Sequence, residues 1–371
     1  MNSRVDAEGT MNRDKEQLWF RNGTILLIVF FVLCGGGLAW SQWRIKRADR
    51  LEMRSWLSPT EPDPGVTAAE IVDTQDATKV SVGIYLERIP SLSMKEMVWT
   101  VVFDVWFRWR GPSSSPAENL VVVNGSIESK ERQAEHHDGE DHYERYQMEA
   151  KITKSFSTKQ FPLDEHLLLL ALENGESVRQ RMVFVPDTEN SNTSSRVVVP
   201  GYVLSNWSLI EKPHSYKSTR GDPRLISPSK STFSQIRFGL NLGRSGWGLY
   251  LKMFQALYVA VAIAFLSCFI KPTYVDPRFG LGVGALFAAV TNFYLVNSFV
   301  PDTGELALAD VVNLLGTLTI LVTLVESTFS LYLYDICGEQ ALSKRLDRMS
   351  FKVMLGGFLG ANLALILAAS L

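Results

Sequence analysis

Three groups of residues in this sequence could do chemistry. His136-His137-Asp138-Gly139-Glu140-Asp141-His142 concentrates imidazoles and carboxylates, and His136, His137 and His142 could serve a divalent cation or sense protons in a mildly acidic range. The same run reads equally as a solvated hairpin tip, because charges clustered around a glycine usually form a loop. Asp276-Pro277-Arg278 places opposite charges two residues apart at the start of an apolar stretch. A ring of such carboxylates at a pore mouth would concentrate cations and a ring of guanidiniums anions; alternatively the two pair with each other and solvate a helix end. Beyond them, helical spacing brings Gly280, Gly284 or Phe287, Thr291 and Tyr294 onto one face, with Asn297 and Ser298 at the far end. Small and hydroxyl residues on one stripe can line water, and they can equally let another helix approach closely. The sequence has no Ser-His-Asp set, glycine-rich phosphate loop or metal-ligand pair at helical spacing, so neither catalysis nor a cofactor is expected.

The elements that must position these residues are segregated along the chain. Its 371 residues carry Lys+Arg 37 against Asp+Glu 39, a net charge of -2, which excludes a polycation that binds nucleic acid. Five apolar runs, 24–41, 249–270, 279–300, 308–334 and 351–371, meet or approach the ~20 residues that a helix needs to cross hydrocarbon. They lack two-residue alternation, and only helices or closed barrels span a bilayer, so they are expected to be helices. Between them, Trp99, Val101, Phe103, Val105, Phe107 and Trp109 alternate with polar residues, and Tyr146, Met148, Ala150 and Ile152 repeat the pattern. Further strands are expected at 80–86, 167–172, 181–185, 202–210 and 233–242. Short strands at this spacing suggest an antiparallel β-sandwich. The expected fold is therefore an α+β membrane protein: N-terminus 1–23, transmembrane anchor 24–41, polar linker 42–78, β-sandwich 79–246 and a four-helix transmembrane domain 247–371.

Charge sets the expected orientation. The loop after the second run holds Lys271 and Arg278, and the one before the fifth holds Lys344, Arg345, Arg348 and Lys352, whereas the stretch from Pro301 to Asp310 holds Asp302, Glu305 and Asp310 and no base. Basic loops face the cytoplasm, which puts residues 1–23 inside and the sandwich outside. Cleavage near Ala39 and Ser41 is the competing reading of the first run, although a basic cluster directly after it is unusual for a mature start. The three cysteines, Cys34, Cys268 and Cys337, all lie in or at the end of apolar runs, so the sandwich must be held by packing alone.

Phe161-Pro162-Leu163-Asp164, followed by a strand, a Trp strand at Asn206-Trp207 and four membrane helices, resembles the pentameric ligand-gated ion channels of the Cys-loop receptor superfamily. Ser155 and Leu168 stand where the animal receptors have bridging cysteines, so the likeness is to the cysteine-less prokaryotic branch. Gly83-Ile84-Tyr85-Leu86 is similar to the first strand of prokaryotic proton-gated channels, Arg244 to the pre-membrane arginine, Asp276 to Gly282 to the pore-helix entry, and Glu326 to an acid of the next helix. The resemblance implies a homopentamer in a bacterial inner membrane, with the sandwich in the periplasm or outside. It implies a pore lined by Asp276, Gly280, Gly284, Phe287, Thr291 and Tyr294, with Phe287 as a hydrophobic gate and Asp276 favouring monovalent cations. Phe161, Pro162, Asp164, Arg244, Pro301 and Asp310 would couple sandwich to pore, with an Asp164–Arg244 ion pair, and Tyr216 would lie in the mobile loop that caps the ligand. The family's Trp-x-Pro-Asp/Glu segment of the agonist site has no counterpart between Arg110 and Tyr143, so the known ligand site does not carry over. A non-conducting membrane receptor or scaffold with the same fold is the alternative.

Overall fold

In a computed structural model, residues 21–61, 74–111, 114–216, 218, 221, 223, 232–299 and 304–370 are described. The chain divides into two compact units: Ala48–Ser157 with Asp164–Ser245, and Met1–Arg47 with Thr158–Leu163 and Gly246–Leu371.

The first unit is built on β-strands: β1 (Thr78–Ser93), β2 (Val98–Arg110), β3 (Leu120–Val122), β4 (Gly125–Asp138), β5 (Asp141–Thr153), β6 (Glu165–Val178), β7 (Met182–Pro186), β8 (Asn192–Thr193), β9 (Tyr202–Ser215) and β10 (Thr232–Arg244). One sheet has the order β4-β5-β2-β1-β7 with β8 also on β1, and the other the order β3-β6-β10-β9. The alternating residues of β2 and β5 are all buried, and they share one core with Leu168, Leu170, Leu172, Ile236 and Phe238 of the other sheet, so the region is sandwich-like. Pairing is antiparallel except at β7 and β8, which run parallel to β1, a departure from the all-antiparallel expectation. At Gly125 a Cβ would lie 2.2 Å from the Lys151 carbonyl oxygen, so only glycine lets β4 approach β5 there.

The second unit holds long helices. These are α1 (Arg21–Trp56, with a π-helical turn at Val32–Gly36), α2 (Gly248–Leu266), α3 (Val275–Asn297), α4 (Leu308–Leu331) and α5 (Gln340–Ser370). All five stretches are long and apolar enough to cross a membrane. Phe254, Leu257, Val261, Ala289, Leu308, Leu315, Met354 and Leu365 form their common core. Phe31 of α1 fills the space above Gly357, and Ala361 sits against Gly35, close approaches that small residues permit.

Two boundaries differ from expectation. The third apolar run begins at Val275 rather than 279, because Pro277 takes a first-turn position where no intrahelical hydrogen bond is lost. Residues 42–56, expected to be linker, continue α1 as helix, and the part from Ala48 belongs to the β-rich unit. The cause is capping by the β9–β10 pair. Lys212 Nζ donates to the Ser55 carbonyl at 2.7 Å and Arg237 Nη1 to that of Trp56 at 3.1 Å, so two buried cations meet the negative end of the helix dipole. The Arg237 guanidinium also lies 5.6 Å over the Trp56 ring, and Leu57 packs where Gly239 lacks a side chain.

Candidate functional site

The corner Thr158–Leu163 belongs to the helical unit although strands of the other unit flank it in sequence. The carbonyls of Lys159 and Phe161 accept the Leu308 and Ala309 N–H groups at 2.8 and 3.1 Å, satisfying donors that the first turn of α4 leaves open. Asp310 closes the same end by accepting the Ala307 N–H at 2.9 Å, and Lys159 pairs with Glu305 at 3.2 Å. Phe161 is buried in the helical core, and its bond to Pro162 is cis. Phe161, Pro162 and Asp310 are thus gathered at one helix end. Pro301 lies outside the described residues.

Asp164, the next residue, starts a buried charge cluster in the β-rich unit. Arg244 Nε donates to Asp164 Oδ1 at 2.9 Å, His166 Nε2 lies 2.5 Å from Oδ2, and the Tyr202 hydroxyl donates to Oδ2 at 3.2 Å. The guanidinium of Arg244 lies 4.1 Å over the Tyr202 ring. Burial alone would raise the Asp164 pKa, but the hydrogen bond and charge of His166 and the charge of Arg244 outweigh it and hold the carboxyl at about 2. Burial, and then the Asp164 carboxylate, push the Tyr202 phenol up. Sequence reasoning anticipated two members of this cluster and missed His166 and Tyr202; the alternation of β6, which turns His166 to the same side as Asp164, was the available signal.

On α3 the expected stripe occupies one exposed face. Asp276, Gly280, Gly284, Phe287, Thr291 and Tyr294 all face away from the helices of their own chain, Phe287 and Tyr294 each 71% exposed, and no atom lies within 4 Å of a Cβ added at Gly280 or Gly284. The opposite face, Gly282, Ala285, Ala289, Asn292 and Val296, is buried. Asn292 donates to Asn313 of α4 at 2.9 Å, and Leu324 fills the space above Gly282. Arg278 departs from expectation. Instead of pairing with Asp276, it is fully buried, 2.7 Å from Asp347 of α5 and 3.6 Å from Glu326 of α4, and donates to the Ile270 carbonyl.

Tyr216 donates to Glu173 at 2.8 Å and stacks edge-on against Phe233, so it is packed into the buried Glu173–His214–Gln235 network. Most of the loop beyond it, 217, 219–220, 222 and 224–231, lies outside the described residues. Of the three expected histidines, His137 and His142 come together, with Nδ1 atoms 2.7 Å apart, whereas His136 faces the other side of β4. A hollow of about 440 Å³ that sequence reasoning did not find opens on β1, β2 and β5. It is lined by Tyr85, Trp106, Arg108, Tyr143 and Asp187, the last held by the Trp106 indole at 2.9 Å and by Arg108.

No protein-family model matches the chain, and no curated protein matches it. The geometry therefore carries the reading: a sandwich-like β region and five helices apolar enough to span a membrane, as in a membrane receptor.

Proposed function

We propose that this chain is the subunit of a homopentameric ligand-gated ion channel of the Cys-loop receptor superfamily, of the prokaryotic branch. It sits in a bacterial inner membrane with the β-rich unit on the periplasmic side. The observation that supports the reading is the uncovered α3 face from Asp276 to Tyr294, set opposite a buried face of mostly small and apolar residues that, with Asn292, fixes the helix in its own bundle. Five such faces around one axis would make a lumen with a ring of Phe287 at mid-height, a constriction that closes by dewetting. Selectivity for monovalent cations follows from the two charges: Asp276 is exposed at the helix start, where the dipole stabilises a carboxylate, while Arg278 is neutralised inside the bundle. Docking of 158–163 on α4, followed in sequence by the Asp164 cluster, supports a coupling role for that corner and for Arg244. The hollow at Trp106 offers room for a small polar ligand. No nucleic acid, cofactor or catalytic step belongs to this reading.

The test is native mass measurement in detergent combined with planar-bilayer recording. Five subunits, a resting conductance raised by Phe287→Ser, and a cation reversal potential lost in Asp276→Asn are expected. A monomer or dimer, or a well-assembled Phe287→Ser pentamer that stays silent, would replace the channel by a non-conducting receptor or scaffold.

A further inference from the structure

The β4–β5 hairpin places Glu135 directly opposite Glu144 and His137 directly opposite His142. Alternation puts all four side chains on one face of the sheet. Like charges directly across a strand pair repel, so two carboxylates in this position demand nearby positive charge, part of which Arg132 and Lys130 supply. One ligand atom each from Glu135, His137 and Glu144 lies within 4.8 Å of the others.

The hydrogen bonds make the demand sharper. The Gly111 carbonyl, 3.0 Å from His142 Nε2, can only accept, so His142 carries its proton on Nε2 and offers a lone pair at Nδ1. His137 must then donate from its own Nδ1 across the 2.7 Å contact. That leaves His137 Nε2 facing Glu135 Oε1, 2.9 Å away. An ion bound there would take the His137 and Glu135 atoms that now face each other.

We propose that Glu135, His137 and Glu144 bind a divalent transition-metal ion of the zinc class. One imidazole and two carboxylates favour such an ion over magnesium or calcium, which take oxygen ligands alone. The supports around the ligands are those of a metal centre. His142, itself fixed by Gly111 and stacked 5.0 Å from Trp109, orients His137 through the nitrogen that does not face the ion. Glu144 is buried and held by the hydroxyls of Ser115 and Tyr146, whereas Glu135 and His137 are exposed, which leaves the ion an entry path and room for water ligands. The neighbouring charges leave the opening free. Arg132 takes the other Glu135 oxygen at 2.8 Å, and Lys130, which interacts electrostatically with Glu144 and Glu118, donates to the Ala117 carbonyl. The site does not depend on whether the protein conducts ions.

Zinc binding to the untagged full chain in detergent, followed by calorimetry, with cobalt(II) absorbance as a second readout, tests the site. One ion per chain is expected. His137→Ala, Glu135→Gln and Glu144→Gln should each weaken binding at least tenfold, and His142→Ala should weaken it by a factor on the order of 10 to 100. His136→Ala, on the opposite face, should bind as the wild type does. Glu135 is an exposed side chain, so Glu135→Gln keeps the fold, and zinc should raise the melting temperature of wild type but not of this variant. Absence of zinc binding by the wild type, or equal losses in His136→Ala and His137→Ala, which would reduce the effect to surface adhesion, overturns the site.

Discussion

Replacing Asp164 with asparagine keeps the shape of the side chain and removes its charge from beside Arg244 and His166. A carboxyl held at about 2 instead of the ordinary 3.8 contributes roughly 2–3 kcal/mol of folding free energy. Arg244, 13% exposed, also loses its carboxylate, and stripping one partner from a buried pair costs about 3–5 kcal/mol, so the expected loss lies between about 2 and 5 kcal/mol. In a unit of this size 1 kcal/mol moves Tm by about 2–4 °C, which predicts a fall of about 4–20 °C at pH 7. The sign with pH is fixed, because a depressed carboxyl stabilises above its unfolded pKa and loses that stabilisation as pH falls through the folded one. The gap between wild type and Asp164→Asn should therefore be full at pH 5 and close progressively between about pH 4 and pH 2. Melting of detergent-solubilised wild type, Asp164→Asn, Arg244→Gln and the double variant, followed by tryptophan fluorescence, gives both the gap and the coupling energy. An additive cycle, or a gap that stays constant down to pH 2, would refute the argument.

Gly125→Ala should lower Tm by an amount equivalent to about 1–3 kcal/mol, since the Lys151 carbonyl that it meets is backbone and cannot swing away. Arg237→Met should fray the end of α1, seen as faster amide exchange over residues 53–57, at a cost of about 1–2 kcal/mol from the lost helix-end cation. Arg278→Met leaves Asp347 and Glu326 facing each other and should cost about 3–5 kcal/mol, read as loss of monodisperse protein in detergent; Arg278→Lys should rescue only part of it.

The β-rich core was legible because the Trp99 to Trp109 alternation survives any register that buries one face. The apolar helices were legible from length alone. The C-terminal part of α1 was hidden by Arg44, Lys46, Arg47, Arg50 and Arg54, whose density reads as solvated linker. The positions that turn inward begin with Gln42, Lys46 and Asp49, all polar, so the apolar periodicity that announces a helix is missing there. Arg278 was misplaced for a different reason: its partner Asp347 lies 69 residues further on, and no local pattern announces such a pairing. The facing of His137 and His142 depended on where the hairpin turns, and once Gly139 takes the left-handed conformation at φ 58° the register follows.

The capping of α1 by Lys212 and Arg237 decides where the β-rich unit can be cut away from the membrane. A fragment beginning at the first strand, near residue 78, would take with it two buried cations shorn of the carbonyls that receive them, and would bare the surface over Gly239 on which Leu57 rests. Beginning at Ala48 keeps the last helical turns and their acceptors. The helix end that looks like a tether is thus a piece of the folded domain, and soluble material for crystallisation or ligand screening has to include it.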